Sequence, residues 1–408
     1  MAARRSDLAE ARKAAGYTQE DLAEKLHVDR STVHRWETKG VRPQPYLWPR
    51  LANLLGMSRD ELREALTSVD PQGRVRVNEV SRRSVLQSGL GLSVLAPLRE
   101  GLAEHSIGAD GVEDLISIRG SLVSADSLLG PGDLASSAVA QVKEIARLWG
   151  VADPSVRGQL FEIGALFAEF CGWLADDLGK FDEGAAWSGR ALEWAHSSAN
   201  FDVVAYILMR MSQQAQLVGQ RVRASALAYA AMQYKTQLRS SRVRAALHQQ
   251  AAHAAALDGN GRDALVHLDS ALDLSGCEGS TVDPYSLANY CTPTYVAVQR
   301  AAVLGILGRF GDALAEYDQV LNDWPRSFRR EFGLHMARRT VVAARAGIVD
   351  TAIESGTTAL QIARDTHSRR TVRELGMGIS HLNSHGAVPG LRAFLDEVAT
   401  EGDAEWAR

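Results

Sequence analysis

Four polar side chains near the start of the chain have the types and the spacing of a surface that reads DNA. A helix predicted from about residue 30 to residue 38 places them together on its outer face: Arg30, Ser31, His34 and Arg35. Guanidinium and hydroxyl groups donate hydrogen bonds to base edges, and a helix of this size enters the major groove. The spacing therefore predicts double-stranded DNA as a partner.

Two short helices joined by a tight turn must position this face. Apolar spacing predicts the first helix from Gln19 to Leu26, and Asp29 is the expected cap of the second, which ends near Thr38. Ala23 is small at the point where the two helices cross. The residues expected to face inward are Leu22, Ala23 and Leu26 on the first helix and Val33 and Trp36 on the second.

The segment resembles the Xre/Cro-type helix-turn-helix family over about residues 4–66. The resemblance is carried by Gly16 at the end of a first helix, Thr18-Gln19 opening the second, Ala23 at the crossing, Glu37, Gly40, Leu51-Ala52 and Leu54-Leu55-Gly56. It implies an N-terminal five-helix domain over residues 1–68.

The same resemblance implies roles for particular residues. Arg12 is expected to pair with Glu37, and Gln19 is expected to reach a backbone phosphate. The positions that match Arg30, Ser31 and Arg35 face the groove floor in that family. The full expected set of DNA contacts is Gln19, Arg30, Ser31, His34, Arg35 and Arg42.

Charge divides the chain into a basic head and an acidic body. Of the 408 residues, 46% are hydrophobic, which is typical of a globular protein. The net charge of −4 divides into +4 for residues 1–84 and −8 for the rest. Three scattered cysteines without a CxxC pair indicate a reducing compartment. The sequence shows neither a membrane-length apolar run nor a signal peptide, so we expect a cytoplasmic protein with no membrane contact.

Residues 69–109 are predicted to be a linker and a connecting helix. Within them, residues 81–98 resemble a twin-arginine export signal, beginning at Ser81-Arg82-Arg83 and ending in an apolar stretch. The segment follows a whole DNA-binding domain, which argues against export. Two alternatives stay open. It is either a linker leading into a short buried helix, or a segment that packs between head and body and relays the state of one to the other.

Five glycines mark a repeat in residues 110–408, where nearly all of the sequence has a helical pattern. They are spaced by 40, 40, 49 and 39 residues: Gly179, Gly219, Gly259, Gly308 and Gly347. Each has a small residue five positions later and another seven positions earlier. These offsets predict a helix, a glycine turn and a second helix in each unit, with close helix contacts at the small residues. Stacked units share one core.

Two of the glycine turns resemble those of the tetratricopeptide repeat, at residues 179–184 and 308–313. The period is longer than that family's usual repeat of about 34 residues, and the proline closing each repeat is mostly absent. Divergent tetratricopeptide repeats are the preferred interpretation, and a generic α-solenoid is the alternative. Gly386 is expected to open a terminal capping unit with a helix at about 391–400.

This resemblance implies that the first helix of each unit lines a concave face. Polar side chains in such a trough suit a peptide or a small polar molecule, and a solvated or protein-docking face is the alternative. The later part of the face is expected to be bland, with Ala302, Gly305, Ala337, Val341 and Ala344. The expected ligand-facing residues are Glu169, Trp173, Asp176, Tyr206, Arg210, Gln213, Gln216, Gln249, His253, Tyr295 and Gln299.

The sequence contains no recognisable catalytic motif. It lacks GxSxG, a GKS/T phosphate loop, HExxH and a dinucleotide-binding fingerprint. We therefore expect no enzymatic activity, no metal and no cofactor.

The fusion of these two modules resembles the Gram-positive regulators grouped as RRNPP, and its Ala/Arg-rich body is closer to actinobacterial relatives. The resemblance implies an all-α homodimeric transcription regulator of the quorum-sensing type. Its repeats would bind a peptide or small-molecule signal. The alternative is an adaptor whose repeats dock another protein, with DNA binding secondary.

Overall fold

All regular structure in the described part of the chain is helical. The computed structural model describes residues 6–26, 28, 30–38, 43, 47–57, 62, 109–277, 283–325, 328–382 and 388–406. The chain divides into two compact units, Met1–Gln87 and Ser88–Arg408.

The first unit is a small helical bundle around one apolar core. Its described helices are α1 (Ser6–Ala14), α2 (Gln19–Leu26), α3 (Arg30–Thr38) and α4 (Trp48–Leu55). The predicted helix from Gln19 to Leu26 is confirmed, and so is the inward orientation of Leu22, Ala23, Leu26, Val33 and Trp36, all of which are buried. Of the expected fifth helix, only Leu62 lies among the described residues, where it is helical and buried.

The second unit is a succession of helices that pack on their neighbours in the chain. They begin with α5 (Ala109–Leu129), α6 (Gly132–Leu148), α7 (Arg157–Asp177), α8 (Phe181–Ser198), α9 (Phe201–Leu217), α10 (Arg221–Met232) and α11 (Ser241–Leu257). They continue with α12 (Gly261–Gly276), α13 (Pro293–Ile306), α14 (Phe310–Leu321), α15 (Arg329–Arg345), α16 (Val349–Thr366), α17 (Arg369–Leu382) and α18 (Leu391–Trp406).

Each of five helix-to-helix turns contains a glycine in the left-handed region. These turns join α7 to α8, α9 to α10, α11 to α12, α13 to α14 and α15 to α16. The φ angles of the five predicted glycines lie between 74° and 80°, a conformation in which a Cβ atom is costly. The two helices of each of these pairs pack directly on one another. The predicted repeat of helix, glycine turn and helix is thus confirmed, and Gly130 makes a similar turn between α5 and α6.

Side-chain caps fix the start of the first helix in three of these helix pairs. Asn200, Ser240 and Thr292 each accept a hydrogen bond from a backbone N–H in the first turn of α9, α11 or α13. Small residues then let the paired helices approach. A Cβ atom on Gly184 of α8 would lie 3.2 Å from the carbonyl oxygen of Gly172 on α7. These close crossings bury α7, α9 and α11 on most of their surface.

The early helices of the second unit also contact its late helices: α5 meets α15, and α7 meets α17. Arg330 of α15 takes part in this contact: it is fully buried and donates from Nη1 to the carbonyl oxygen of Asp126 at 2.9 Å. Arg330 also forms ion pairs with the carboxylates of Asp126 and Asp177. Ser368 donates to Oδ1 of Asp177 at 3.2 Å. We call these contacts the closure, since they join the two ends of the helical array.

Several sequence-based predictions fall outside the described residues: the Asp29 cap, Gly40, the linker with its segment at 81–98, and Gly386. The capping helix expected at about 391–400 corresponds to α18, which extends further, to Trp406. None of the described helices combines the length and the apolar character needed to cross a bilayer.

Candidate functional site

Arg12 and Glu37 are buried and, together with the half-buried Gln19, they tie α1, α2 and α3 together. Arg12 donates to both carboxylate oxygens of Glu37, from Nε at 2.6 Å and from Nη2 at 3.1 Å. Gln19 Nε2 donates to the same carboxylate at 2.7 Å. Burial raises the pKa of Glu37, but these hydrogen bonds outweigh it and hold the pKa below the ordinary value of 4.5. The expected pairing of Arg12 with Glu37 is confirmed.

The start of α2 is fixed by a reciprocal cap. Asp21 Oδ2 accepts from the backbone N–H of Thr18 at 2.8 Å, and Thr18 Oγ1 accepts from the backbone N–H of Asp21 at 3.1 Å. This cap places Gln19 at the N-terminus of a helix, where the helix dipole favours an anion such as a phosphate. Lys13, Gln19 and Arg30 line one shallow concavity there, of about 430 Å³.

The outer face of α3 carries the predicted DNA contacts. Arg30 and His34 are exposed, and Arg30 Nη1 lies 3.5 Å from Oε1 of Glu20, which is also exposed. Ser31 and Arg35 belong to the same helix, but their side chains lie outside the described part of the structure, as does all of Arg42. Gln19 is already bonded to Glu37, so a phosphate contact would have to use its remaining hydrogen-bonding capacity.

Comparison with protein families agrees with this geometry. A family model described as helix-turn-helix matches residues 8–62. The first unit carries a helix-turn-helix DNA-binding domain. This family is regulatory and not catalytic, so the helix-turn-helix domain marks the chain as a DNA-binding regulator. A search of curated proteins finds no match to the chain.

Beyond the helix-turn-helix domain, the second unit contains a partly open cavity of about 400 Å³. Most residues expected to face a ligand line this cavity: Trp173, Asp176, Arg210, Gln213, Gln216, Gln249, His253, Tyr295 and Gln299. Glu169 and Tyr206 are buried instead and do not belong to the lining. The repeat register thus brings side chains from four helices (α7, α9, α11 and α13) to one place, and ligand binding by them stays a prediction.

A chain of hydrogen bonds crosses the floor of the cavity from α9 to α13. Gln250 Nε2 lies 3.3 Å from Oε1 of Gln216, and Gln216 Nε2 lies 3.3 Å from Nδ1 of His253. Because the Gln216 amide donates to Nδ1, His253 carries its proton on Nε2 and donates to Oε1 of Gln299 at 3.0 Å. Burial lowers the pKa of His253 to about 3, so the ring is neutral. This chain leaves both nitrogens of His253 satisfied.

Trp173 lies between charged groups on the cavity wall. The guanidinium carbon of Arg210 is 4.3 Å from the centre of its ring, and that of Arg370 is 3.9 Å away. Its Nε1 donates to Oδ2 of Asp126 in the closure, at 3.1 Å. Glu169 lies behind this wall, where it accepts from Nε of Arg210 at 2.6 Å. The cavity wall is therefore in direct contact with the closure.

The expectation that the later part of the concave face carries only small and apolar residues is wrong. Ala302, Gly305 and Val341 do line the cavity, but α15 and α17 add a charged and aromatic half that sequence reasoning missed: Glu331, His335, Arg338, Arg345, Arg370 and Glu374. The spacing from Gly347 selects alanine and valine on α15. The missed residues on α15 lie one or more positions away from those selected alanine and valine residues. The missed residues on α17 lie on a helix that none of the five repeat glycines follows.

Several buried polar atoms of the cavity lining have no hydrogen-bond partner, most of them outside the early half. They are Nδ1 and Nε2 of His335, Oε2 of Glu331, Oε1 of Gln249, the hydroxyl of Tyr317 and Nε of Arg370. His335 is 1% exposed and Gln249 is also 1% exposed. An unpartnered buried polar atom costs about 1–3 kcal/mol. Of the fourteen buried side-chain atoms without a partner among the described residues, six belong to this lining.

Asp176 is the buried carboxylate of the cavity's other half. It accepts from Nε2 of Gln214 at 2.6 Å. Burial raises its pKa to about 6, and the hydrogen bond from Gln214 offsets only part of that effect. A Cβ atom on Gly184 would come within 3.0 Å of the Asp176 Cγ, so the close crossing of α7 and α8 holds this carboxyl group in place.

Proposed function

We propose that this chain is a homodimeric, sequence-specific transcription regulator whose second unit binds a signal molecule. In this proposal residues 1–68 form the DNA-binding domain, residues 69–109 connect it, and residues 110–408 form a divergent tetratricopeptide array. The helix-turn-helix match and the exposed donors on α3 support DNA binding. The observation that carries signal binding is the group of unpartnered buried polar atoms around the cavity.

Base reading is assigned to Arg30, Ser31 and Arg35 of α3. His34 of the same helix and Arg42, which follows it in the chain, are proposed as further DNA contacts. Gln19 is assigned to a phosphate. We expect Arg35→Ala to cost about 1–3 kcal/mol on a preferred site, because a bidentate arginine–guanine contact is worth that much. Gln19→Ala should weaken all duplexes evenly. Affinities for a selected and a scrambled duplex test this. An equal loss on both duplexes for Arg35→Ala would remove its role as a base reader.

Two copies of the chain are proposed to bind one operator. A single helix-turn-helix domain covers a half-site, so specificity normally comes from two domains about 34 Å apart. We place the dimer contact in the second unit. Sedimentation of the protein free and bound to its operator measures this, and a single copy on the operator at micromolar concentration would contradict it.

Signal binding would act on DNA binding by favouring one arrangement of the helical array. Trp173 and Arg370 line the cavity and also contact closure residues, Asp126 and Asp177 respectively. A molecule in the cavity therefore touches groups that hold early and late helices together. Small rotations add along a stack of repeats, so a change at the closure would reach its ends.

Operator affinity with and without a small-molecule extract of cells tests this step. We expect the extract to change the affinity of the wild type, and Gln249→Leu to abolish that change while leaving basal affinity intact. Gln237→Leu is the control, because Gln237 is exposed and does not line the cavity. No response of the wild type, or an equal response of Gln249→Leu, would favour the adaptor interpretation.

A further inference from the structure

The cavity holds more arginines than carboxylic acids. Its lining contains Arg210, Arg221, Arg338, Arg345 and Arg370, against Asp176, Glu331 and Glu374. Burial also raises the pKa of Asp176 to about 6 and raises that of Glu374, which disfavours their charged forms. Arg221 and Arg345 are exposed, so solvent screens their charges. Arg210 is paired with Glu169, and Arg338 lies 3.9 Å from Glu374. Arg370 is therefore the buried arginine of the lining whose charge can attract a ligand of opposite sign.

Arg370 is the least satisfied of these arginines. It is 8% exposed, and its Nε has no hydrogen-bond partner. The nearest carboxylate oxygen, Oδ1 of Asp177, is 3.7 Å from that nitrogen, which is too far for a hydrogen bond. Asp177 is already shared with Arg330 and Ser368. Burial and the positive charge of Arg330 lower the pKa of Arg370 to about 9.

The side chains near Arg370 offer further hydrogen bonds to a ligand. His335 feels the charges of both Arg338 and Arg370, and burial holds its pKa well below the ordinary value. A neutral imidazole supplies one donor and one acceptor, and both of its nitrogens are unpartnered. Glu331 Oε2 and Gln249 Oε1 are unpartnered acceptors. A ligand that satisfies the set must combine an anionic group with a hydrogen-bond donor.

We propose that the cavity binds a small organic anion that also carries a hydroxyl, amide or amino donor. Its carboxylate or phosphate group lies against Arg370, with Arg338 and His335 beside it, and its donor meets Glu331 or Gln249. The volume of about 400 Å³ is near the lower end of the range of small-molecule sites, about 300–1,000 Å³. An extended peptide of six residues would span about 20 Å, so a compact molecule fits better. This inference rests on the proposed signal binding.

Titration calorimetry of the full-length protein tests the anionic site with two probes, inorganic phosphate and succinate. Glycerol is the uncharged comparison, and chloride is present at matched ionic strength throughout. We expect saturable binding of at least one anion, and the stronger probe tells phosphate from carboxylate. Arg370→Gln should weaken binding about tenfold to a hundredfold, since a charge-assisted hydrogen bond contributes about 1.5–3 kcal/mol. Absence of saturable binding for both anions would overturn the proposal.

Two more variants guard against a folding defect in Arg370→Gln. Arg338→Gln alters a partly exposed arginine of the same cavity and should also weaken anion binding. Arg339→Gln is the matched control on α15, because Arg339 pairs with Asp318 and does not line the cavity. Weakening by Arg339→Gln equal to that of the cavity variants would show a general charge effect and would contradict the site.

Different results would contradict the proposed anionic ligand and the proposed regulatory role. An anion that binds through Arg370 and leaves operator affinity unchanged supports the site and contradicts the regulatory proposal. If the uncharged fraction of a cell extract, separated by anion exchange, changes operator affinity and the anionic fraction does not, regulation stands and the anionic ligand is wrong.

Discussion

One polar cluster in each unit of this chain shows two different ways of burying polar groups. In the first unit, Arg12, Glu37 and Gln19 satisfy one another at distances between 2.6 and 3.1 Å. In the second unit, His335, Gln249 and Tyr317 are buried, yet each has a side-chain atom with no partner. The first arrangement holds helices at fixed positions. The second leaves free energy that a bound molecule can recover, because each unpaired group costs about 1–3 kcal/mol.

The same contrast exists within the cavity, between two buried histidines. His253 bonds to Gln216 and Gln299 through its two nitrogens, whereas His335 makes ring contacts to Trp324 and Tyr295 and no hydrogen bond. Burial and nearby arginines lower the pKa of both. The difference teaches that burial alone does not identify a structural histidine, and that its hydrogen-bond partners must be counted.

Removing Glu37 should have the largest effect. We expect Glu37→Ala to lower the free energy of opening of α1–α3 by about 3–5 kcal/mol, because it leaves Arg12 buried without its counter-charge. Hydrogen exchange of the α2 and α3 amides in the full-length protein measures this. Glu24→Ala, at an exposed position of the same helix as Gln19, is the control. A loss below about 1 kcal/mol would mean that the cluster does not hold the helices.

Replacing each of the two histidines by phenylalanine should change the stability of the second unit in opposite directions. We expect His335→Phe to stabilise the second unit by about 1–3 kcal/mol, because it removes two unpaired nitrogens and keeps the ring contacts. His253→Phe should destabilise it by a similar amount, since Gln216 and Gln299 lose their partner. Chemical denaturation of both variants checks this. Destabilisation of equal size by both would show that His335 is structural in the same sense as His253.

Lowering the pH should change the stability of the two units differently. Asp176 has a folded-state pKa of about 6, above the ordinary 3.8, so its ionisation costs stability that is regained as pH falls through 6. Between pH 7 and pH 5 this group alone returns about 1 kcal/mol to the second unit. His253 works in the opposite direction, because its folded-state pKa of about 3 lies below the ordinary 6.5, and it costs the unit about 2 kcal/mol over the same interval. The lowered pKa of His335 adds to that loss, so the second unit should become less stable overall. Glu37 has a lowered pKa, so the first unit should keep its stability over that interval and lose it only below the ordinary value of 4.5.

The control for the pH response is Asp176→Asn, which keeps an acceptor for Gln214 and removes the titration. Hydrogen exchange followed separately in α2 and α7 distinguishes the two units. The loss of stability of α7 between pH 7 and pH 5 should be about 1 kcal/mol larger in Asp176→Asn than in the wild type. An equal loss in both would show that Asp176 does not titrate near pH 6.

The smallest effect is expected at the exposed pair of Arg30 and Glu20. Glu20→Gln should change stability by less than about 0.5 kcal/mol, because exposed ion pairs contribute little. It should strengthen DNA binding slightly, since Arg30 is then released for the groove. Operator affinity at two salt concentrations measures the gain. Weaker DNA binding by Glu20→Gln would indicate that Glu20 orients Arg30 for its contact.

Sequence reasoning predicted the local structure well, because glycine turns and apolar spacing are local signals. The five turn glycines adopt the expected left-handed conformation, and Leu22, Val33 and Trp36 are buried as expected. The pairing of Arg12 with Glu37 came from a family resemblance. No sequence pattern connected Arg330 to Asp126, which is 204 positions away, because that contact depends on how rotations accumulate over the whole array.

The cavity was predicted only in part for the same reason. The repeat register located Trp173, Gln213 and His253 from their own glycine turns. It did not locate Arg370, which lines the cavity only because α17 returns to meet α7. The contribution of a late helix to an early site is a property of the completed array.

The closure also fixes how many hairpins the array can contain. A linear stack of repeats tolerates the gain or loss of a unit, since each repeat contacts only its neighbours. Here an inserted hairpin between α8 and α15 would carry Arg330 away from Asp126 and Asp177 and leave two carboxylates and one guanidinium buried alone. Duplication or deletion of a hairpin between these helices would therefore break the closure in this chain.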